Sequence, residues 1–306
     1  MKIILAKPRG FCAGVERAIR CVEQVLERYG PPVYVLNAIV HNGHAVQALR
    51  EKGAVFVRRL DEVPRGAYVL FSAHGVGPDR WEEARERDLK VIDATCPLVE
   101  KVHREAKRFA SQGYTIVLIG EKGHDEVVGT SGWTPQDIQV IFSESEVDTL
   151  RVKDPAKVAY LTQTTLSVDD CSRVIAALKA HFPNLAGPAA EDICYATRNR
   201  QRAVTDLAPE ADLVLVVGDP ESANSKRLAE ICRKGGKASY LISSAAMIQD
   251  TWLEGVAAVV VTSGASVPEV LVQGVIEHLK AHGPCEVEER EIVHEDVHFQ
   301  LPDVIA

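Results

Sequence analysis

Six short runs recur along the chain: "VYVLNAIV", "AYVLFSA", "YTIVLIG", "KVAYLTQ", "DLVLVVG" and "VAAVVVTSG". Each is apolar on both faces and is followed by a polar or glycine-bearing loop, with helical patterns between the runs. A strand that is apolar on both faces must be covered on both sides, and crossover helices are what cover parallel strands. An α/β fold with small parallel sheets is therefore expected. With 306 residues the chain has room for two or three domains. The formal net charge of −8 argues against nucleic acid or anionic lipid as a partner, yet a locally positive pocket can still take a small anion. The apolar run in "MKIILAKPRG" is too short for a signal peptide and no segment approaches a membrane span, so a cytoplasmic location is expected.

Three helices begin alike. Cys12 precedes "AGVERAIRCVEQVLERYG", where Val15, Ile19, Val22 and Leu26 form an apolar stripe that ends at Gly30. Cys96 follows "LKVIDAT" and precedes "PLVEKVHREAKRFASQG", with Pro97 suited to a first helical turn. Cys194 follows "EDI" and precedes "YATRNRQRAVTDLA". The intervals of 84 and 98 residues are each the size of one small α/β domain. Domains are accordingly expected at 13–96, 97–193 and 194–281, the last completed by a strand within 1–12, with 282–306 as an acidic tail across the body. Two further strand-to-helix loops per repeat carry polar groups. They hold His41 and His74 in the first, His124 with Glu126 and then Thr164 and Thr165 in the second, Ser222 with Asn224 and then Ser266 in the third. Ligands of parallel sheets bind beyond the carboxyl ends of the strands, so three cysteines and six loops are expected to face one centre.

Seven scattered cysteines with no C-x-x-C pair make neither a disulfide framework nor a zinc ribbon. Cys21, Cys171 and Cys232 fall on or beside apolar helix stripes and read as small buried side chains; Cys285 is assigned no role. Cys12, Cys96 and Cys194 differ, because a helix N-terminus favours the thiolate, the form that binds metal. Three thiolates leave one coordination position unmet. That suits zinc with a bound water, zinc completed by a histidine, or a four-iron cubane with one iron that lacks a protein ligand, and spacing does not decide among them. His41, His74 and His124, with the hydroxyl and amide side chains of the other loops, suggest a donor-rich phosphate pocket. "HGVGPDRW" lacks the last glycine of a dinucleotide fingerprint, so no NAD(P) or flavin is expected. His103 and the remaining histidines read as unremarkable; Arg198, Arg200 and Arg202 would suit docking of an acidic electron carrier, but read first as an exposed basic helix face.

"RGFCAGVERAI", "DATCPLV", "GHDEVVGT", "QTTLSVDD", "DICYATRNRQ" and "TSGASVPEVL", in this order from about residue 1 to 281, resemble the 4-hydroxy-3-methylbut-2-enyl diphosphate reductases of the non-mevalonate isoprenoid pathway. The resemblance implies three α/β domains around an iron–sulfur cluster, with Cys12, Cys96 and Cys194 as ligands of a 4Fe-4S centre. One iron then has no protein ligand, binds the substrate hydroxyl, and can be lost to leave 3Fe-4S. It implies His41, His74, His124, Ser222, Asn224 and Ser266 as diphosphate contacts, with Thr165 beside them. Glu126 is implied as the proton-delivering carboxylate and Thr164 as its companion hydroxyl. Electrons must come from an external donor of ferredoxin or flavodoxin type. One position departs from the family pattern: its usual Ser-Ser-Asn is Ser222-Ala223-Asn224 here, one hydroxyl fewer, worth about 0.5–1.5 kcal/mol as a hydrogen bond. Two other readings use the same residues: a zinc-dependent hydrolase of a phosphorylated small molecule, or a non-enzymatic iron–sulfur or phosphate sensor.

Overall fold

The apolar runs form strands covered on both sides, and in Thr115–Ile119 and Leu213–Val217 every residue is buried. The computed structural model describes residues 1–303. The chain begins with β1 (Lys2–Lys7), α1 (Ala13–Tyr29), β2 (Val33–Leu36), α2 (Gly43–Glu51), β3 (Ala54–Val57), β4 (Tyr68–Phe71), α3 (Pro78–Glu86) and β5 (Lys90–Asp93). It continues with α4 (Pro97–Ser111), β6 (Thr115–Ile119), α5 (Asp125–Gly132), β7 (Ile138–Ile141), β8 (Val158–Thr162) and α6 (Val168–His181). Last come α7 (Tyr195–Leu207), β9 (Leu213–Val217), α8 (Ala223–Lys234), β10 (Ala238–Ile242), β11 (Ala258–Ser263), α9 (Glu269–Ala281) and β12 (Glu286–Glu291). The first apolar run is strand for half its length only, because Asn37 turns to φ 60° and takes "AIV" into the following loop.

The strands make three sheets, ordered β3-β2-β4-β5, β7-β6-β8 and β10-β9-β11-β1-β12, and every pairing in them is parallel. One plan underlies all three. The first strand of a repeat lies between the second and the third, and a fourth position flanks the third. That fourth position is β5 beside β4, β1 beside β11, and in the middle sheet a single parallel bridge from Ala186 to Ala159 of β8. The chain in each fourth position runs on into a cysteine: β5 to Cys96, the stretch after Ala186 to Cys194, β1 to Cys12.

Contacts group the chain into two compact units. One comprises Met1–Val15, His41–Gln47 and Tyr195–His298 and holds the five-stranded sheet; the other comprises Glu16–Val40, Ala48–Cys194 and the described residues from Phe299 onward, and holds the other two sheets. Alternation along each strand divides its side chains between two cores. In the five-stranded sheet Ile3, Leu215 and Val261 pack with Val272, Val275 and Leu279 of α9, while Ile4, Val214, Val216 and Val260 pack with Val204 and Leu207 of α7 and Leu228 of α8. In the three-stranded sheet Val117 and Ile119 meet Val174 and Leu178 of α6, and Ile116 and Leu118 meet Val102 and Phe109 of α4.

The acidic C-terminal stretch contributes β12, the edge strand paired to β1. Its carboxylates meet the cations of the N-terminal segment: Glu288 lies 2.7 Å from Lys2 and Glu289 2.7 Å from Arg9. Exposed pairs of this kind contribute little stability, but charge along an edge discourages pairing with another chain. Because β1 is flanked on both sides, its side chains carry core weight. Ile4→Ala should lower unfolding free energy by about 2–5 kcal/mol in urea denaturation, and a loss below about 1 kcal/mol would show that β1 adds little to this core.

Candidate active site

Parallel strands deliver their following loops to one edge, and in each sheet a cysteine is tied to one of those loops by its own backbone. The Cys12 N–H donates to the Ala265 carbonyl, the Cys96 N–H to Ala73 and the Cys194 N–H to Thr164, each at 3.0 Å. The residue after each acceptor is a predicted contact: Ser266, His74 and Thr165. Each cysteine also heads a helix. Cys96 caps α4 ahead of Pro97, while Cys12 and Cys194 immediately precede α1 and α7.

The three thiols are half-buried and unbridged, whereas Cys21, Cys171 and Cys232 lie in the core, where burial pushes their thiols up to about 11, 12 and 11. Burial also raises the Cys12 thiol, but the Arg200 charge and the N–H groups of Val15 and Gly14 pull the other way. Those donors favour a sulfur that carries negative charge. Half-buried thiols at helix starts, with N–H groups directed at one of them, fit the soft thiolate set that iron–sulfur clusters require.

The loops after the first strands of the sheets open helices. His124 caps α5, its Nδ1 accepting the Glu126 N–H at 3.2 Å, so the ring proton of neutral His124 sits on Nε2 as a donor. Ser222 caps α8 and accepts from Ser225 N–H and Oγ. Asn42 Oδ1 accepts the Ala45 N–H at the start of α2, directly after His41. Asp219 joins two of these loops, taking the Gly43 N–H at 3.0 Å and the Glu221 N–H at 2.9 Å. Ser266 Oγ donates to the His41 carbonyl at 3.0 Å, so its proton holds the His41 loop. Asn224 is buried, and neither atom of its amide has a hydrogen-bond partner among the described residues. A buried unpaired amide costs roughly 1–3 kcal/mol per group, which a polar ligand would recover. A side chain at Gly264 would fall 2.0 Å from Ser225 Oγ and 3.4 Å from Asn224 Nδ2, so only glycine leaves room for both.

In the unit with the two smaller sheets, the His74 and His124 rings meet edge to face, 5.9 Å apart. Beside them Glu126 is buried, its Oε1 accepting the Thr164 N–H at 2.7 Å and its Oε2 the Thr164 hydroxyl at 2.9 Å. Burial pushes the carboxyl up to about 7, helped by the Asp192 charge and opposed by both Thr164 donors. Gln163 amide donates to Thr165 Oγ1 at 2.9 Å and accepts the Glu121 N–H at 2.9 Å, bracing the two loops. The other unit gathers Cys12, His41, Ser222, Asn224 and Ser266.

Residues 3–280 match the LytB protein family. A 4-hydroxy-3-methylbut-2-enyl diphosphate reductase of Acidothermus cellulolyticus is 54% identical over 98% of this chain and 89% of its own length. The chain belongs to the LytB family. A second reductase of that name, from Mycolicibacterium paratuberculosis, is also 54% identical, over 98% of this chain and 91% of its own. The E-1-hydroxy-2-methyl-but-2-enyl-4-diphosphate reductase of Plasmodium falciparum, a solved structure, superposes with a TM-score of 0.96 at 37% identity, covering 99% of this chain and 96% of that one.

Several residues of this LytB-family chain that bear on the site went unassigned in the sequence. His103 is buried and its basicity falls to about 4 through burial and the Lys107 charge, so the ring is neutral at pH 7. It packs beneath Gly75 (φ +75°), where a Cβ would come within 2.6 Å of its ring, and so fixes the turn that follows His74. Its place on the α4 stripe with Val99, Val102 and Ala106 was the available signal. Arg200 is the clear correction: it does not join Arg198 and Arg202 on an exposed face but is fully buried.

The Glu126 shift has a signed consequence. Its carboxyl holds its proton to higher pH folded than unfolded, so this contribution is complete below about 4.5 and is lost as pH rises through about 7. Unfolding free energies of wild type and Glu126→Gln, compared at pH 5 and pH 8, should show the variant gaining on wild type by about 3 kcal/mol at the higher pH. Parallel pH profiles would mean that Glu126 titrates normally.

Proposed function

We propose that this chain removes the allylic hydroxyl of 4-hydroxy-3-methylbut-2-enyl diphosphate and yields isopentenyl and dimethylallyl diphosphate. The reading rests on family membership and on one observation, a buried Glu126 tuned to about 7 and fastened to Thr164. The overall change consumes two electrons and two protons: the C–O bond breaks, oxygen leaves as water, and carbon gains hydrogen. An iron–sulfur cluster held by Cys12, Cys96 and Cys194 would supply the electrons for that cleavage, drawn from an external carrier of ferredoxin or flavodoxin type.

The protein's own work is binding, orientation and proton supply. His41, His74 and His124 face the diphosphate as donors, with Thr165, Ser222 and Asn224 completing the contacts and Ser266 holding the His41 loop in place. Three of the loops concerned open helices, whose first N–H groups favour an anion. A carboxyl near 7 is half protonated at neutral pH and so delivers and regains a proton with little bias. Thr164, bonded to it through both N–H and hydroxyl, fixes its orientation and can relay the proton to the leaving oxygen. Burial of the same carboxyl keeps bulk water from the reacting atoms. Among the described residues no helix is long and apolar enough to cross a membrane.

The decisive test is oxidation of reduced methyl viologen by the anaerobically purified protein on addition of this substrate; no substrate-dependent oxidation by an iron- and sulfide-loaded protein would overturn the reading. Cys12→Ser, Cys96→Ser and Cys194→Ser should each lose iron, sulfide and visible absorbance, and Cys21→Ser should keep them. Glu126→Gln should bind substrate but turn over at least about 10²-fold more slowly, the scale of general-acid catalysis. Asn224→Ala should bind diphosphate about ten- to a hundred-fold more weakly with no loss of apoprotein stability, since it removes an amide that the described residues leave unpaired. Equal diphosphate affinity in wild type and this variant would place the pocket elsewhere.

A further inference from the structure

A fully buried guanidinium stands behind the Cys12 loop. Arg200, on α7, donates from Nη2 to the Gly10 carbonyl at 2.8 Å and from Nη1 to the Ala196 carbonyl at 3.0 Å. Gly10 lies two residues before Cys12 and Ala196 two residues after Cys194, so one side chain joins the backbone leading into one cysteine to the backbone leaving another. The loop is further pinned by Gly10 N–H to Ser263 Oγ at 2.8 Å and Ala13 N–H to the Tyr195 hydroxyl at 3.3 Å. Those contacts are neutral; Arg200 brings charge. Its counterion, Glu295, sits 3.2 Å from Nη1 and is also held by Asn199 Nδ2 at 3.0 Å. The pairing is unequal, because the guanidinium is sealed from water while the Glu295 side chain is 15% exposed. Solvent therefore screens the carboxylate more than the cation. The Arg200 Nε–H, also buried, has no partner among the described residues.

We propose that Arg200 is a positioning residue for the iron–sulfur site, fixing the Cys12 loop against the start of α7 and favouring the reduced state of a cluster bound there. The inference rests on the reading of Cys12 as a ligand. On reduction one electron passes from an external reductant to the cluster, whose charge becomes one unit more negative; no bond is made or broken and no proton need move. A fixed buried cation stabilises the more negative state, and local charge is one of the levers that set cluster potential. Glu295 tempers that effect from the solvent side.

Wild type, Glu295→Gln, Arg200→Gln/Glu295→Gln and Arg200→Lys/Glu295→Gln, all full-length, are reconstituted anaerobically and titrated with dithionite, which is oxidised to sulfite. Midpoint potential is followed by absorbance and electron paramagnetic resonance, and iron and sulfide are assayed. Pairing both substitutions avoids leaving a carboxylate buried alone. Glu295→Gln should raise the potential. Arg200→Gln/Glu295→Gln should lower it relative to Glu295→Gln by about tenfold in the reduced-to-oxidised ratio, ~59 mV for a one-electron couple. Arg200→Lys/Glu295→Gln should keep the potential of Glu295→Gln but hold less iron, since the charge stays while the two-pronged grip is lost. A potential unmoved by Glu295→Gln, or equal in Glu295→Gln and a loaded Arg200→Gln/Glu295→Gln, overturns the proposal. If Cys12→Ser binds a full cluster with an unchanged spectrum, it is the ligand reading that fails instead.

Discussion

The hydrogen bond from each cysteine N–H to the carbonyl at the end of a third strand is the constraint on which the candidate site depends. A parallel strand can pair only after the chain has crossed back, so every strand of such a sheet ends at the same edge as its neighbours. A fourth-position chain running beside the third strand must end beside the loop that the third strand feeds. Cys12 at Ala265, Cys96 at Ala73 and Cys194 at Thr164 repeat this at 3.0 Å in three sheets of different size. The middle sheet is the informative one. It reduces the fourth strand to a single bridge at Ala186 and still keeps the cysteine contact, so register is preserved where the strand is not.

Much of this was legible in the sequence because it depends on local pattern. Runs apolar on both faces named the strands, stripes ending in glycine named the helices, and cysteines before helix starts stood apart from cysteines within stripes. What escaped were properties set by distant chain. Nothing near Arg200 says that its guanidinium is enclosed, because its partners include Gly10 and Glu295, 190 and 95 residues away. Ser266 read as a ligand donor, yet its proton goes to the His41 carbonyl 225 residues off. The acidic residues of 286–291 read as tail because a charged edge strand has no apolar face to announce it. What places them is the pairing with Lys2 and Arg9, at the other end of the chain.

Burial acts on the ionisable groups of this chain in one sense, against charge, and the chemistry differs only in what each group meets. The thiols of Cys21, Cys171 and Cys232 are driven to about 11–12 and become inert packing. His103 is driven to about 4 and becomes a neutral plate beneath the Gly75 turn. For the buried Arg200 the fold supplies two carbonyls and a carboxylate as partners. Glu126 falls between these cases: desolvation drives it up and two donors from one threonine hold it back, which leaves it near neutrality.

That balance makes the Lys101–Asp192 pair part of the site's electrostatics. Asp192 is a second buried carboxylate; it receives the Thr162 N–H at 3.0 Å and raises Glu126 through its charge. Lys101, on the helix headed by Cys96, closes to 2.8 Å of it and also donates to the Glu191 carbonyl at 3.1 Å. Without the ammonium, burial would push the Asp192 carboxyl further up, and the loop leading to Cys194 would lose its tie to α4. Removing one partner of a buried pair typically costs about 3–5 kcal/mol, several times the worth of an exposed pair. The surface ion pairs of β12 can thus vary freely, whereas this one couples the backbone before Cys194, the helix after Cys96 and the proton affinity of Glu126.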